Sequence, residues 1–154
     1  MVYLLKAWQS IPDRKGWQST LAGNGPEREK LTGYPDVEIL DFMDQSDLLK
    51  VMENSGAFIL PSLFEPWALV LHEAACAGLP MLASTCCGVV ASFLREGENG
   101  YLSIPGNIRS ICCSIEKLIM QSDTDLLQMG RISRELGMKI TPERVADTLL
   151  TVLK

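Results

Sequence analysis

Short apolar runs alternate with helical patterns along the whole chain, and this alternation most restricts what the sequence can fold into. Gln18–Gly23, Val37–Leu40, Ala57–Leu60, Leu79–Ala83 and Gly100–Ile104 read as strands. Helical patterns lie between and after them, over Leu4–Ile11, Asp47–Asn54, Pro66–Ala77, Ile108–Gln121, Thr124–Leu136 and Pro142–Leu153. A further helix is expected to open at Pro26, beside Glu27 and Glu29. Strands such as Ala57-Phe58-Ile59-Leu60 are apolar on both faces, so both faces must be covered. The expected fold is α/β, a doubly wound, Rossmann-like parallel sheet with helices on both sides. No repeat, low-complexity linker or domain boundary interrupts residues 1–154, which read as one domain.

Composition narrows the function. Lys and Arg number 14 against 19 Asp and Glu, a net charge of −5, and this disfavours a general nucleic-acid partner. No run approaches the roughly 18 apolar residues of a membrane helix, and the first residues lack the pattern of a secretory leader. A cytoplasmic location is expected. The five cysteines, Cys76, Cys86, Cys87, Cys112 and Cys113, form no C-x-x-C and read as small apolar residues. His72 and Cys76, four apart, leave open a metal reading with Cys86 or Cys87.

Chemistry concentrates in the segment Leu60–Pro80. Glu65 lies where a strand-end loop enters the next helix, with Pro66 as its expected first residue. Glu73 then falls about two turns on, roughly 10 Å along the axis and on the same side as the helix start. The free N–H groups of Trp67, Ala68 and Leu69 would form an anion site at the positive helix end. A carboxylate further along could accept both hydroxyls of a ribose, so the pattern suits a nucleoside diphosphate. The alternative for Glu73 is an arginine partner or a capping role, and for His72 a satisfied helix histidine.

Glu65-Pro66-Trp67-Ala68-Leu69-Val70-Leu71-His72-Glu73 resembles the E-x7-E segment of retaining glycosyltransferases with the two-domain GT-B fold, of the family 4 or group 1 type. Gly78-Leu79-Pro80, Glu96–Leu102 and Leu21–Glu27 also resemble that family. The resemblance implies that this chain is the donor-binding C-terminal half, with the acceptor-binding N-terminal domain absent. It implies a nucleotide-diphosphate sugar as donor, in polysaccharide or glycolipid synthesis. Glu65 would contact the transferred sugar as the catalytic-site carboxylate. Trp67, Ala68, Leu69 and Val70 would supply main-chain donors to the sugar and diphosphate. Glu73 would hold the ribose, and the loop at Asp41, Phe42 and Met43 would meet the base. No metal or other cofactor is implied, and peripheral membrane contact belongs to the intact enzyme.

Three departures stand out. Ala68 replaces a common glycine. Cys87-Gly88-Val89-Val90-Ala91 lacks the acidic residue that often follows such a turn. The family's first, central strand, with its phosphate-gripping arginine and lysine, has no counterpart, and Arg14 and Lys15 do not take over that role. The resulting gap between the strands at 18–23 and 57–60 is expected to close directly, or to be filled by a second chain through dimerisation or strand exchange. Transfer by the isolated chain is not expected. The competing readings are a nucleotide-sugar epimerase or a glycogen or sucrose synthase-like enzyme on the same fold, or a non-enzymatic α/β interaction module such as a receiver. A dinucleotide dehydrogenase is disfavoured, because Gly23-Asn24-Gly25-Pro26 lacks the third glycine of G-x-G-x-x-G.

Overall fold

A computed structural model describes residues 1–152. The elements run α1 (Val2–Ser10), β1 (Ser19–Ala22), β2 (Val37–Leu40), α2 (Gln45–Glu53), β3 (Phe58–Leu60), α3 (Leu69–Ala77), β4 (Met81–Ser84), α4 (Val90–Phe93), β5 (Gly100–Ser103), α5 (Ile108–Ile119), α6 (Asp123–Gly137) and α7 (Pro142–Val152). All strand pairs are parallel, β1 with β2 and β3 with β4 with β5. This is the expected doubly wound α/β arrangement, and both faces are covered. Alternate strand residues enter two separate cores. Ile59, Leu82 and Tyr101 pack with α1 and α5, while Phe58, Leu60, Met81, Ala83 and Leu102 pack with α2, α3 and α4.

Several expectations change in the structure. The helix at Pro26 is only a 3-10 turn over Arg28–Leu31, and the short α4 was not anticipated. The helix expected from Asp47 starts two residues earlier, at Gln45, and Asp44 caps it, because its carboxylate accepts the Asp47 amide and its backbone is extended. Leu153, the expected end of the last helix, lies outside the described residues. Direct closure of the gap is not seen: among the described strands β1 pairs only with β2, and β3 only with β4, leaving a cleft of about 720 Å³ between β1 and β3.

The second core depends on an unusually close helix pair. Gly130 of α6 lies against the main chain at Gly78, where a Cβ would collide with the Gly78 carbonyl oxygen. Gly137 fits against the Ala75–Cys76 main chain in the same way. Between them Ser133, fully buried, accepts a 2.9 Å hydrogen bond from Asn99 Nδ2. Asn99 also donates to the Phe93 carbonyl and accepts the Arg95 amide, so every polar atom of this buried side chain is engaged. This packing fixes α3, and with it the loops at its amino end. Gly130→Ala is expected to lose about 1–3 kcal/mol of stability, the usual cost of overpacking. A thermal melt should show the loss as a fall of about 2–4 °C per kcal/mol.

Candidate functional site

Because every strand pair is parallel, the loops after the strands gather at the carboxyl ends of their half-sheets, where ligands bind in open α/β folds. The β3–α3 loop, residues 61–68, holds the Glu65 end of the predicted site. It is fixed from the side by the β4–α4 turn. The Gly88 amide donates to the Glu65 carbonyl at 3.0 Å, and Cys86 Sγ donates to the Ser62 carbonyl at 3.1 Å. A side chain at Gly88 would collide with the Pro66 carbonyl, so the turn requires glycine there.

The helix does not start at Pro66. It starts three residues later, at Leu69, because Ala68 is left-handed with φ 71° and ψ 61°. The Glu65 carboxylate turns back into the loop and accepts the amides of Trp67 (3.2 Å) and Ala68 (2.9 Å) through one oxygen. Two of the main-chain donors assigned from the sequence are therefore engaged by Glu65 itself. Leu69 and Val70 are the first two helical residues, and their amides precede the first amide that the helix satisfies, Leu71 donating to Ala68. They are the amides left open at the start of α3. Glu73 is then four residues from Leu69, about one turn and ~6 Å along the axis rather than two turns.

No cation pairs with Glu73 among the described residues; Gln45 Nε2 donates to it at 3.5 Å. The expected arginine alternative is thus not what the structure shows. Gln45, the first residue of α2, was not singled out in the sequence, where nothing distinguishes it from other polar residues at a helix start. Arg28 was missed as well. It ion-pairs with Asp41 at 3.1 Å and donates to the carbonyls of Gly23 and Leu40, so it braces the loops after β1 and β2. Phe42 stands 80% exposed beside that brace, and Met43 is half-buried. Trp67 is also exposed, whereas Ala68 is buried.

The remaining candidates serve packing. His72 Nε2 lies 3.0 Å from the Gly137 carbonyl, and its ring stacks on Phe93 at 4.7 Å, so it is a satisfied helix histidine. Burial pushes the Cys76 and Cys112 thiols up, and that of Cys87 to about 11, the environment of inert thiols. Arg14 pairs with Asp36 and Lys15 with Asp13, in the segment that enters β1. Neither reaches the loops that leave the strands.

Two tests follow from the loop. Left-handed backbone costs a residue with a Cβ about 1–2 kcal/mol. Ala68→Gly removes that cost and gives up a buried methyl worth about 0.8 kcal/mol, so melts should shift by less than about 1 kcal/mol. Ala68→Val places a β-branched chain in the same conformation and is expected to destabilise by about 2 kcal/mol or more. The Asp44 cap adds a pH test. The Asp47 amide and the Ser46 hydroxyl hold the Asp44 carboxyl below the usual aspartate range. A depressed value in the folded state means the cap contributes fully above about pH 4 and is lost as pH falls through the folded value. Amide exchange in α2 should accelerate over that acid range in the parent chain. In Asp44→Ala it should already be fast at neutral pH.

Comparison with known proteins supplies the family and the fold. The chain is 30% identical over 153 residues to an uncharacterised glycosyltransferase of Haemophilus influenzae, covering 94% of this chain and 42% of that protein. It spans about two-fifths of the length of that relative and of a similar one from Methanocaldococcus jannaschii. Among solved structures, sucrose-phosphate synthase from Thermosynechococcus elongatus superposes with TM-score 0.81 at 22% identity, over 98% of this chain and 40% of that one. Anabaena HepE in complex with UDP-glucose superposes with TM-score 0.78 at 19% identity, over 98% of this chain and 45% of that one. These superpositions establish the GT-B, Rossmann-like fold. The family model for group 1 glycosyl transferases matches residues 1–121, and the chain belongs to that family.

Proposed function

We propose that this chain is the donor-binding half of a retaining glycosyltransferase. The observation that carries the reading is the juxtaposition at the start of α3. Two amides at Leu69 and Val70, free at the helix start, sit about one turn before a carboxylate that no cation neutralises among the described residues. A nucleoside diphosphate sugar matches that order, with phosphate oxygens on the amides and the positive helix end, and the ribose hydroxyls on Glu73. HepE, of like fold, carries UDP-glucose in its crystal structure, which supports this class of donor.

The remaining roles follow from placement. Phe42 and Met43, on the loop that Arg28 braces, meet the base through main-chain atoms. Glu65 faces the sugar from the β3–α3 loop. Its carboxylate orients Trp67 and Ala68 in the ground state, and a sugar hydroxyl can take up its second oxygen. In the transfer step the bond from the sugar's anomeric carbon to the diphosphate breaks, and an acceptor hydroxyl oxygen bonds to that carbon on the same face. The acceptor proton passes to the departing phosphate oxygen. The protein's part is electrostatic stabilisation of that oxygen by preorganised donors, with no metal required. The acceptor comes from a separate N-terminal half, as in polysaccharide or glycolipid synthesis, so the chain alone transfers no sugar. The resulting enzyme works at the cytoplasmic side, with peripheral membrane contact at most. No described helix is long and apolar enough to cross a membrane.

Calorimetric titration with UDP and with GDP tests the reading. Saturable binding of one of them is expected, weakened roughly tenfold to a hundredfold by Glu73→Ala, the range for losing hydrogen bonds to a charged group. Binding that Glu73→Ala leaves unchanged would overturn the assignment of the ribose to Glu73.

A further inference from the structure

Among the described residues the Glu73 carboxylate has one hydrogen-bond partner, Gln45, which comes from another helix. Gln45 is the first residue of α2, where the Asp44 cap fixes the backbone by accepting the Asp47 amide at 2.9 Å. Residues three or seven apart share a helix face, so Gln45 lies on the side of α2 that carries Leu48 and Met52. Those two pack into the core that also holds α3. On α3, Glu73 lies on the side of Val70 and Ala77, which pack against the same core. The two polar side chains therefore meet at the edge of the contact between their helices.

The chemistry of the pair fixes which way the carboxamide faces. A carboxylate only accepts, so Gln45 presents Nε2 to Glu73 Oε1, at 3.5 Å, and turns its oxygen away. Among the described residues that oxygen accepts no hydrogen bond, and neither does Glu73 Oε2. Two acceptors thus stand open side by side, one from each helix. Gln45 is exposed and Glu73 half-buried, so both are within reach of a ligand. The order along the site agrees. Phe42 and Met43, at the base end, precede Gln45 by three and two residues. The Leu69 amide, at the phosphate end, lies about one turn before Glu73. Gln45 and Glu73 fall between these ends, where a nucleotide carries its sugar.

We propose that Gln45 is a second ribose-binding residue and makes the site selective for ribonucleotides. Its carboxamide oxygen accepts one hydroxyl of the ribose diol. Its amide group orients Glu73, whose free oxygen accepts the other. A nucleotide whose sugar lacks the diol leaves both acceptors unmatched. This role rests on the nucleotide reading of the site. It extends that reading from the carboxylate alone to a pair drawn from two helices, and it ties the base-facing loop before α2 to the sugar contact on α3.

Calorimetric titrations of the full chain compare UDP with 2′,3′-dideoxy-UDP, and GDP with 2′,3′-dideoxy-GDP. The parent chain is expected to bind the ribose form of its preferred nucleotide more tightly than the dideoxy form. Gln45→Met keeps the length and the helix preference of the side chain and removes both polar atoms. It is expected to lower affinity for the ribose form roughly twofold to tenfold, the range for one hydrogen bond between uncharged groups, and to leave affinity for the dideoxy form unchanged. A merely structural role for Gln45 weakens both forms alike, and that result would overturn the proposal. So would a ratio of ribose to dideoxy affinity that Gln45→Met leaves as it is. Failure of the parent chain to bind either nucleotide overturns the nucleotide reading and the role of Gln45 with it, whereas the other two results leave that reading standing.

Discussion

β4 is buried along its whole length, and this single strand sets the terms for the rest of the molecule. A strand covered on both faces needs two cores, and its neighbours obey the same alternation, so helices must come from both sides. On one face that need is met by ordinary helix packing of α1 and α5, built from leucine, isoleucine and tryptophan. On the other it is met by α3, whose carboxyl half, Ala74–Ala77, is pressed so closely by α6 that glycine is needed at the contacts. That contact fixes the axis of α3, and with it the positions of the Leu69 and Val70 amides and of Glu73.

The turn at residues 65–68 shows where sequence reasoning reached its limit. The spacing of Glu65 and Glu73, the helix stop at Gly78 and the parallel alternation were all legible, because they follow from residue type and period. The helix start was not. A proline followed by apolar residues is a good first turn by local preference. Here the backbone instead takes a left-handed step at Ala68, which no alanine propensity announces. The tertiary fit of Gly88 against Pro66 and the Glu65 carboxylate on two amides override the local preference. The consequence is chemical: the expected anion donors narrow to Leu69 and Val70, and the helix start comes from roughly 10 Å to ~6 Å from Glu73 along the axis. The departure at Ala68, visible as an alanine in place of a common glycine, was the one signal that this position is conformationally special.

Arg28 and Gln45 were illegible for a different reason. Each acts across elements far apart in sequence, Arg28 on the loop after β2 and Gln45 on Glu73 of α3. A polar residue at the start of a helix has many structural uses, and only the three-dimensional neighbour selects among them. Cys76, Cys87, Cys112 and His72 are the converse case. Their types invite a metal or redox reading, while their surroundings, a stacked ring and a carbonyl partner for His72 and burial that pushes up the three thiols, are those of packing groups.

The open slot and the donor site are parts of one arrangement. The site draws on both half-sheets, with the β1 and β2 loops braced by Arg28 on one side and the α3 start on the other. No described strand pairs across the cleft, so the two sets of loops lack the main-chain bonds by which a continuous sheet would hold them. On the proposed function, a nucleoside diphosphate reaching from the loop at Phe42 and Met43 to the amides of Leu69 and Val70 bridges the two half-sheets. Its binding should therefore order the loops on both sides of the cleft together, because each set supplies part of the geometry that the ligand requires.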